Sequence, residues 1–212
     1  MRFHFKLVVY VYLLIGFSAS ASDPQAELHK AVSLDNARWV QQLLDAGADP
    51  NAPDANGQTP LTLALREDAR QAAATLIAHP KLIVDAANGS NETALMLACL
   101  RGQFTLAQQL VARGAALNRA GWTPLHYAAS GPEPRLVAWL LDQGAAIDAP
   151  SPNRSTPLMM AARYGAADSA DLLLARGANA RLRNERDLAA ADFARAAGRD
   201  ALAGRIEAAS LR

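Results

Sequence analysis

Cys99 is the only cysteine in the 212-residue chain, and a thiol becomes a strong nucleophile where a neighbouring base or positive charge lowers its pKa. No histidine stands at a spacing shared by known cysteine-dependent active sites. The residue instead ends the run Ala94-Leu95-Met96-Leu97-Ala98-Cys99, where a small polarizable side chain is core filling. One cysteine also rules out an intramolecular disulfide, so packing must carry the stability. Beyond residue 21 the histidines are His29, His79 and His126. His79 immediately precedes Pro80 and reads as a solvated turn residue. Asp49, Asp54, Asp85, Asp168 and Asp171 suggest a carboxylate site at first sight. Their places in loops and at helix starts are those of side chains that cap free amides. A calcium loop needs a denser run of oxygen ligands with glycine at a fixed place. Phosphate-binding glycine loops, nucleophile elbows, zinc-protease helices and cysteine pairs are absent. The expectation is no catalytic residue, no cofactor and no metal. A hydrolase or a small-ligand site is the rival, and it requires a clustered acid-base pair that the sequence does not display.

The composition describes a chain that folds: 51% of residues are hydrophobic and 19% charged. Its length suits one core or one elongated array. Residues 1–21 have the internal order of an export signal. Arg2 and Lys6 make a basic start, Leu7 to Phe17 is apolar apart from Gly16, and Ser18-Ala19-Ser20-Ala21 supplies the small residues a signal peptidase reads. Cleavage after Ala21 is expected. The apolar run is far short of the roughly 20 residues that span a bilayer, so no transmembrane anchor is expected in the mature form. Losing Arg2 and Lys6 from 21 basic residues leaves a near-neutral chain against 20 acidic ones. Nucleic-acid binding normally draws on a strong basic excess, so it is not expected.

The elements that position the side chains are revealed by self-similarity. Thr59-Pro60-Leu61, Thr93-Ala94-Leu95, Thr123-Pro124-Leu125 and Thr156-Pro157-Leu158 are offset by 34, 30 and 33 residues. Ala64, Ala98, Ala128 and Ala161 follow in phase. Leucine pairs and a glycine return downstream, as in Leu43-Leu44 with Gly47 and Leu173-Leu174 with Gly177. Threonine caps a helix, proline costs nothing in a first helical turn, and glycine closes a helix in the left-handed conformation. Each unit therefore reads as helix, turn, helix and extended loop. One unit cannot bury its own apolar faces, so the units must stack.

This pattern resembles the ankyrin repeat. Gly121-Trp122-Thr123-Pro124-Leu125-His126-Tyr127-Ala128-Ala129 is close to that family's G-x-T-P-L-H-x-A-A signature, and Leu43-Leu44-Asp45-Ala46-Gly47-Ala48-Asp49-Pro50-Asn51 matches its L-L-x-x-G-A-D-x-N segment. The resemblance implies an all-α solenoid of about six helix-turn-helix units with short β-hairpin fingers, covering residues 22–212. The units fall near 24–55, 56–88, 89–118, 119–151, 152–184 and 185–212, the first and last acting as caps. It also implies that His29 and His126, at one repeat position, hydrogen-bond between neighbouring turns. Two departures stand out. Pro80 replaces the turn glycine of the second unit, so its second helix should end early. The loop Asn118-Arg119-Ala120-Gly121-Trp122 is short, so its finger should be stunted and Trp122 brought to a surface notch. Trp39 falls at a core position, while Trp139 lies on the second-helix side.

Ankyrin arrays bind other proteins through the fingers and the exposed face of the first helices. Carried over unit by unit, the variable positions are Gln58, Arg66, Glu67, Glu92, Leu100, Arg101, Trp122, Arg154, Arg163 and Tyr164. Arg66, Arg101 and Arg163 would form a basic row, with Leu100, Trp122 and Tyr164 as anchors of the kinds that dominate interfaces. The resulting expectation is a non-catalytic module exported to the bacterial periplasm, or secreted, that binds an unidentified protein through its concave face. The resemblance also admits an immunity protein against a secreted toxin, an accessory of oxidative-stress defence, or a structural spacer.

Overall fold

The computed structural model describes residues 23–211, and the expected export signal lies outside them. The first two pairs of helices are α1 (Pro24–Ser33) with α2 (Ala37–Asp45) and α3 (Pro60–Arg66) with α4 (Arg70–Ala78). Next come α5 (Ala94–Leu100) with α6 (Phe104–Ala112) and α7 (Pro124–Ser130) with α8 (Pro134–Asp142). The stack ends with α9 (Pro157–Arg163) and α10 (Ala167–Ala175), then α11 (Ala190–Ala196) and α12 (Asp200–Ser210). No helix among the described residues is long and apolar enough to cross a membrane.

Local chemistry sets these boundaries. Thr59 and Thr156 accept the amides of Thr62 and Met159 at 3.2 and 3.4 Å, which satisfies donors left free at a helix start. Gly47, Gly114, Gly144 and Gly177 have φ between +89° and +99° just past α2, α6, α8 and α10, where a side chain would be strained. The amide after each glycine reaches back to a leucine carbonyl, as Ala48 does to Leu43 at 3.0 Å and Ala178 to Leu173 at 2.9 Å. At the last first-position helix Ala189 replaces threonine, and Asp192 compensates by accepting the Ala189 amide at 2.8 Å.

The second unit differs from expectation. α4 has nine residues, as do α2, α6, α8 and α10, so Pro80 does not shorten it. Arg113 of the following unit donates to the carbonyls of Ile77 and His79 at 2.7 and 3.0 Å, capping the end that lacks a glycine turn. His79 is accordingly half-buried, with Nδ1 enclosed and unpaired, and is not a solvated turn residue.

The fingers carry no β-strand among the described residues. Each full finger is one backbone turn closed by a side chain. Asp54 N–H donates to the Gln58 carbonyl at 2.9 Å while Asp54 Oδ1 accepts from the amides of Asn56 and Gln58, both at 2.8 Å. Asn88 and Asn184 repeat the device in their own fingers. A carboxylate or amide oxygen thus takes the bonds that a hairpin ladder would supply.

Buried residues form one continuous core from Leu28 to Ile206. Leu95, Leu125 and Leu158, each two places after its capping threonine, are fully buried, each worth roughly 1.5–3 kcal/mol of hydrophobic stabilisation. Polar bonds stitch consecutive units as well. Asn51, Asp85, Asn118 and Asp148 accept the amides of Ile83, Ala116, Ala146 and Asn179 at 2.7, 3.1, 2.8 and 3.0 Å. The first helices pack on one another more closely than the second helices do. Trp39 is half-buried at the core edge under Lys30, not enclosed, and Trp139 packs on Phe104 with ring centroids 5.7 Å apart.

Candidate functional site

Along the first helices, the residue seven places after each capping threonine is Arg66, Leu100, Ser130 and Arg163. The expected basic row is therefore interrupted. Arg101 Nη2 donates to the Arg66 carbonyl at 2.6 Å, but Leu100 and Ser130 separate that pair from Arg163. Two short side chains in place of two arginines open a pocket of about 370 Å³. Its walls are Leu100, Trp122, His126, Tyr127, Ser130, Met160 and Tyr164.

Trp122 reaches this pocket from the short loop before Thr123. Of the equivalent positions, Gln58 and Ser155 are buried and Glu92 is half-buried; Trp122, also half-buried, packs edge-on against His126 with ring centroids 5.2 Å apart. His126 is held from both sides. Its Nε2 donates to the Ser155 carbonyl at 3.0 Å, and Nδ1 accepts from the Thr123 amide at 3.2 Å. His29 bonds the Gln58 carbonyl in the same way, at 3.2 Å. This geometry requires a neutral His126 ring, and burial lowers its pKa below the ordinary value. The adjacent Tyr127 hydroxyl donates to Glu92 Oε1 at 3.1 Å, and burial with that carboxylate pushes its pKa up to about 12.

These groups do not form a reaction centre. The imidazole is spent on structural bonds, the tyrosine hydroxyl is secured to Glu92, and burial pushes the enclosed Cys99 thiol up, away from reactivity. No cluster of metal-ligating side chains occurs among the described residues. What the pocket offers is an apolar, aromatic slot with one large open edge: Tyr164 is 60% exposed, and Arg163 lies over its ring at 5.3 Å.

The structure brings Leu100, Trp122 and Tyr164 together, with Arg163 beside them. Arg66, Glu67 and Arg101 lie farther toward the second unit, and Arg154 stands at a finger tip with φ +60°. Glu92 is half-buried and engaged by Tyr127 and by Asn88, whose amide donates to Oε2 at 2.9 Å. Gln58 is not on the surface at all: it is 5% exposed, and its Oε1 accepts from Asn88. Tyr127 and Met160 were not among the expected surface positions. Both stand four places after a capping threonine, where Leu63 and Leu97 are buried; larger or longer residues at that place are the available signal.

The family described as ankyrin repeats (3 copies) matches residues 28–120 and 95–184. The chain is 32% identical over 167 residues to the nuclear factor NF-kappa-B p105 subunit of Gallus gallus, a match covering 76% of this chain and 17% of that protein. It is 31% identical over 169 residues to human transient receptor potential cation channel subfamily A member 1, covering 76% of this chain and 15% of that protein. The chain thus spans less than a fifth of the length of these relatives. Among solved structures, it superposes on a chain of the complex of the predatory endopeptidase Bd0816 from Bdellovibrio bacteriovorus with immunity protein Bd3460. The TM-score is 0.72 at 25% identity, covering 86% of this chain and 97% of that chain. The repeat signature, the serial helix pairs and the family match agree, and the chain belongs to the ankyrin-repeat family.

Proposed function

We propose that this protein is an exported, non-catalytic capture module that seats part of a partner protein in the pocket between Trp122 and Tyr164. The observation that carries this reading is the pocket itself. It is apolar and aromatic, it is walled by residues of the first helices, and Tyr164 is 60% exposed. Such a ring contributes to binding once a partner covers it. Export rests on the order of basic, apolar and small residues in positions 1–21. N-terminal sequencing of the protein from the periplasmic fraction tests it, with Ser22 expected as the first residue.

Affinity capture from that compartment, with the wild-type chain beside a Trp122→Ala, Arg163→Ala double variant, tests the pocket. The double variant is expected to lose the captured partner while retaining its unfolding midpoint. Retention of every partner contradicts the proposal. A more specific reading is inhibition of an exported hydrolase, as an immunity protein does. Its support is the similarity to a chain of the endopeptidase–immunity complex, nearly all of which this chain covers. That reading predicts that the captured partner is a hydrolase whose activity falls on binding.

A further inference from the structure

Tyr164 walls more than one pocket. A second, more polar one of about 270 Å³ adjoins it, with Arg163, Arg186, Asn153 and Asn184 in its wall. The two pockets share the wall residue Tyr164, the one on the Trp122 side being apolar and the one beyond Tyr164 basic. Some of the protein's arginines are neutralised: Arg70, Arg176, Arg183, Arg195 and Arg205 each have a carboxylate within ion-pair distance. Among the described residues neither Arg163 nor Arg186 does. Asp192, the one carboxylate in the basic wall, is taken by Arg195 at 3.2 Å and by the Ala189 amide at 2.8 Å. The basic pocket thus presents two guanidinium groups without an ion-pair partner, across Tyr164 from the aromatic slot.

Resting on the capture reading above, we infer that the partner presents an acidic segment: an apolar or aromatic side chain enters the slot at Trp122, and a carboxylate farther along the same segment meets Arg163 and Arg186. Guanidinium groups suit this task because their planar donors match a carboxylate's two oxygens. Polyanions such as nucleic acid are disfavoured, since the whole chain carries a net charge of only +1 and the basic positions are local.

The test uses the purified full chain and fluorescent decapeptides in which one phenylalanine and one glutamate pair are separated by about one to four residues, with matched glutamine peptides. Glutamate peptides are expected to bind about tenfold more tightly than glutamine ones, and Arg163→Glu with Arg186→Glu should abolish that preference. Arg163→Lys with Arg186→Lys should retain part of it. Trp122→Ala should weaken both peptide series equally. Equal binding of the two series, or an unchanged preference in the charge-reversed chain, overturns the acidic partner and leaves pocket capture standing. Failure of Trp122→Ala to weaken any peptide removes pocket capture too. An array without a binder overturns the inference, as does a single-stranded oligonucleotide that competes as well as the glutamate peptides; affinity capture then judges the pocket separately. Unfolding midpoints of all variants confirm that they are folded.

Discussion

Gly165 follows the pocket residue Tyr164 and meets the preceding unit at backbone distance, so Gly165→Ala is a severe perturbation. A Cβ at this position would lie 1.9 Å from the Ala129 carbonyl oxygen and 3.1 Å from both Ala129 C and Ala161 Cα. All three neighbours are backbone, so no side chain can turn aside. Restoring even a 3.0 Å contact requires the two segments to separate by about 1 Å, in an interior packed as densely as an organic crystal. Forced overpacking of this kind costs about 3 kcal/mol, at the upper end of the usual range. Gly204→Ala is the control. Nothing lies within 4 Å of a Cβ there, and the residue is inside α12, so the change should stabilise by about 0.5–1 kcal/mol. Urea unfolding followed by circular dichroism measures both. The midpoint should fall sharply for the first and rise slightly for the second. A Gly165→Ala chain within about 0.5 kcal/mol of the parent would refute the close-approach argument. Because Tyr164 precedes this glycine, the same variant should also lose partner binding.

Three further outcomes follow from buried groups. His126 has a folded pKa below the ordinary imidazole value of 6.5 because of burial. The unfolded chain therefore binds a proton that the folded chain refuses, so this contribution to stability is complete above pH 6.5 and is lost as pH falls below it. Thermal unfolding between about pH 8 and pH 5 should show a falling midpoint, with a shallower slope in His126→Gln; an identical slope contradicts the assignment. Ser169 is fully buried and its Oγ has no partner, so Ser169→Ala should be neutral or stabilising by about 1 kcal/mol in the same urea assay, and a clear loss would reveal a bond to that hydroxyl. Cys99 is wholly enclosed; a thiol reagent should label it only in denaturant, and fast labelling of the folded chain would show that α5 opens.

The repeat was legible because its markers act locally. Thr59 caps its own helix, and Gly47 or Gly177 adopts a conformation that few other residues tolerate, so type and spacing identify each boundary. The length of α4 was not, because Arg113 from the next unit supplies the cap that Pro80 denies. The family resemblance implies hairpin fingers, yet Asp54, Asn88 and Asn184 close them with side-chain oxygens. Trp122 was found from a shortened loop. The pocket around it needed comparison across units, since it exists where Leu100 and Ser130 stand in line with Arg66 and Arg163. Gln58 was misplaced as a free surface group because its partner Asn88 lies 30 residues on, in the next finger.

The central claim is that a partner protein sits in the Trp122–Tyr164 pocket. Site-specific photo-crosslinking in living cells tests it most directly, with a benzophenone residue placed at position 122, at position 164, or at the exposed α6 position of Gln109 on the second-helix side. Mass spectrometry of the products should identify the same partner at 122 and 164 and none at 109. Crosslinking of that partner from 109 alone, with 122 and 164 silent, would contradict the account.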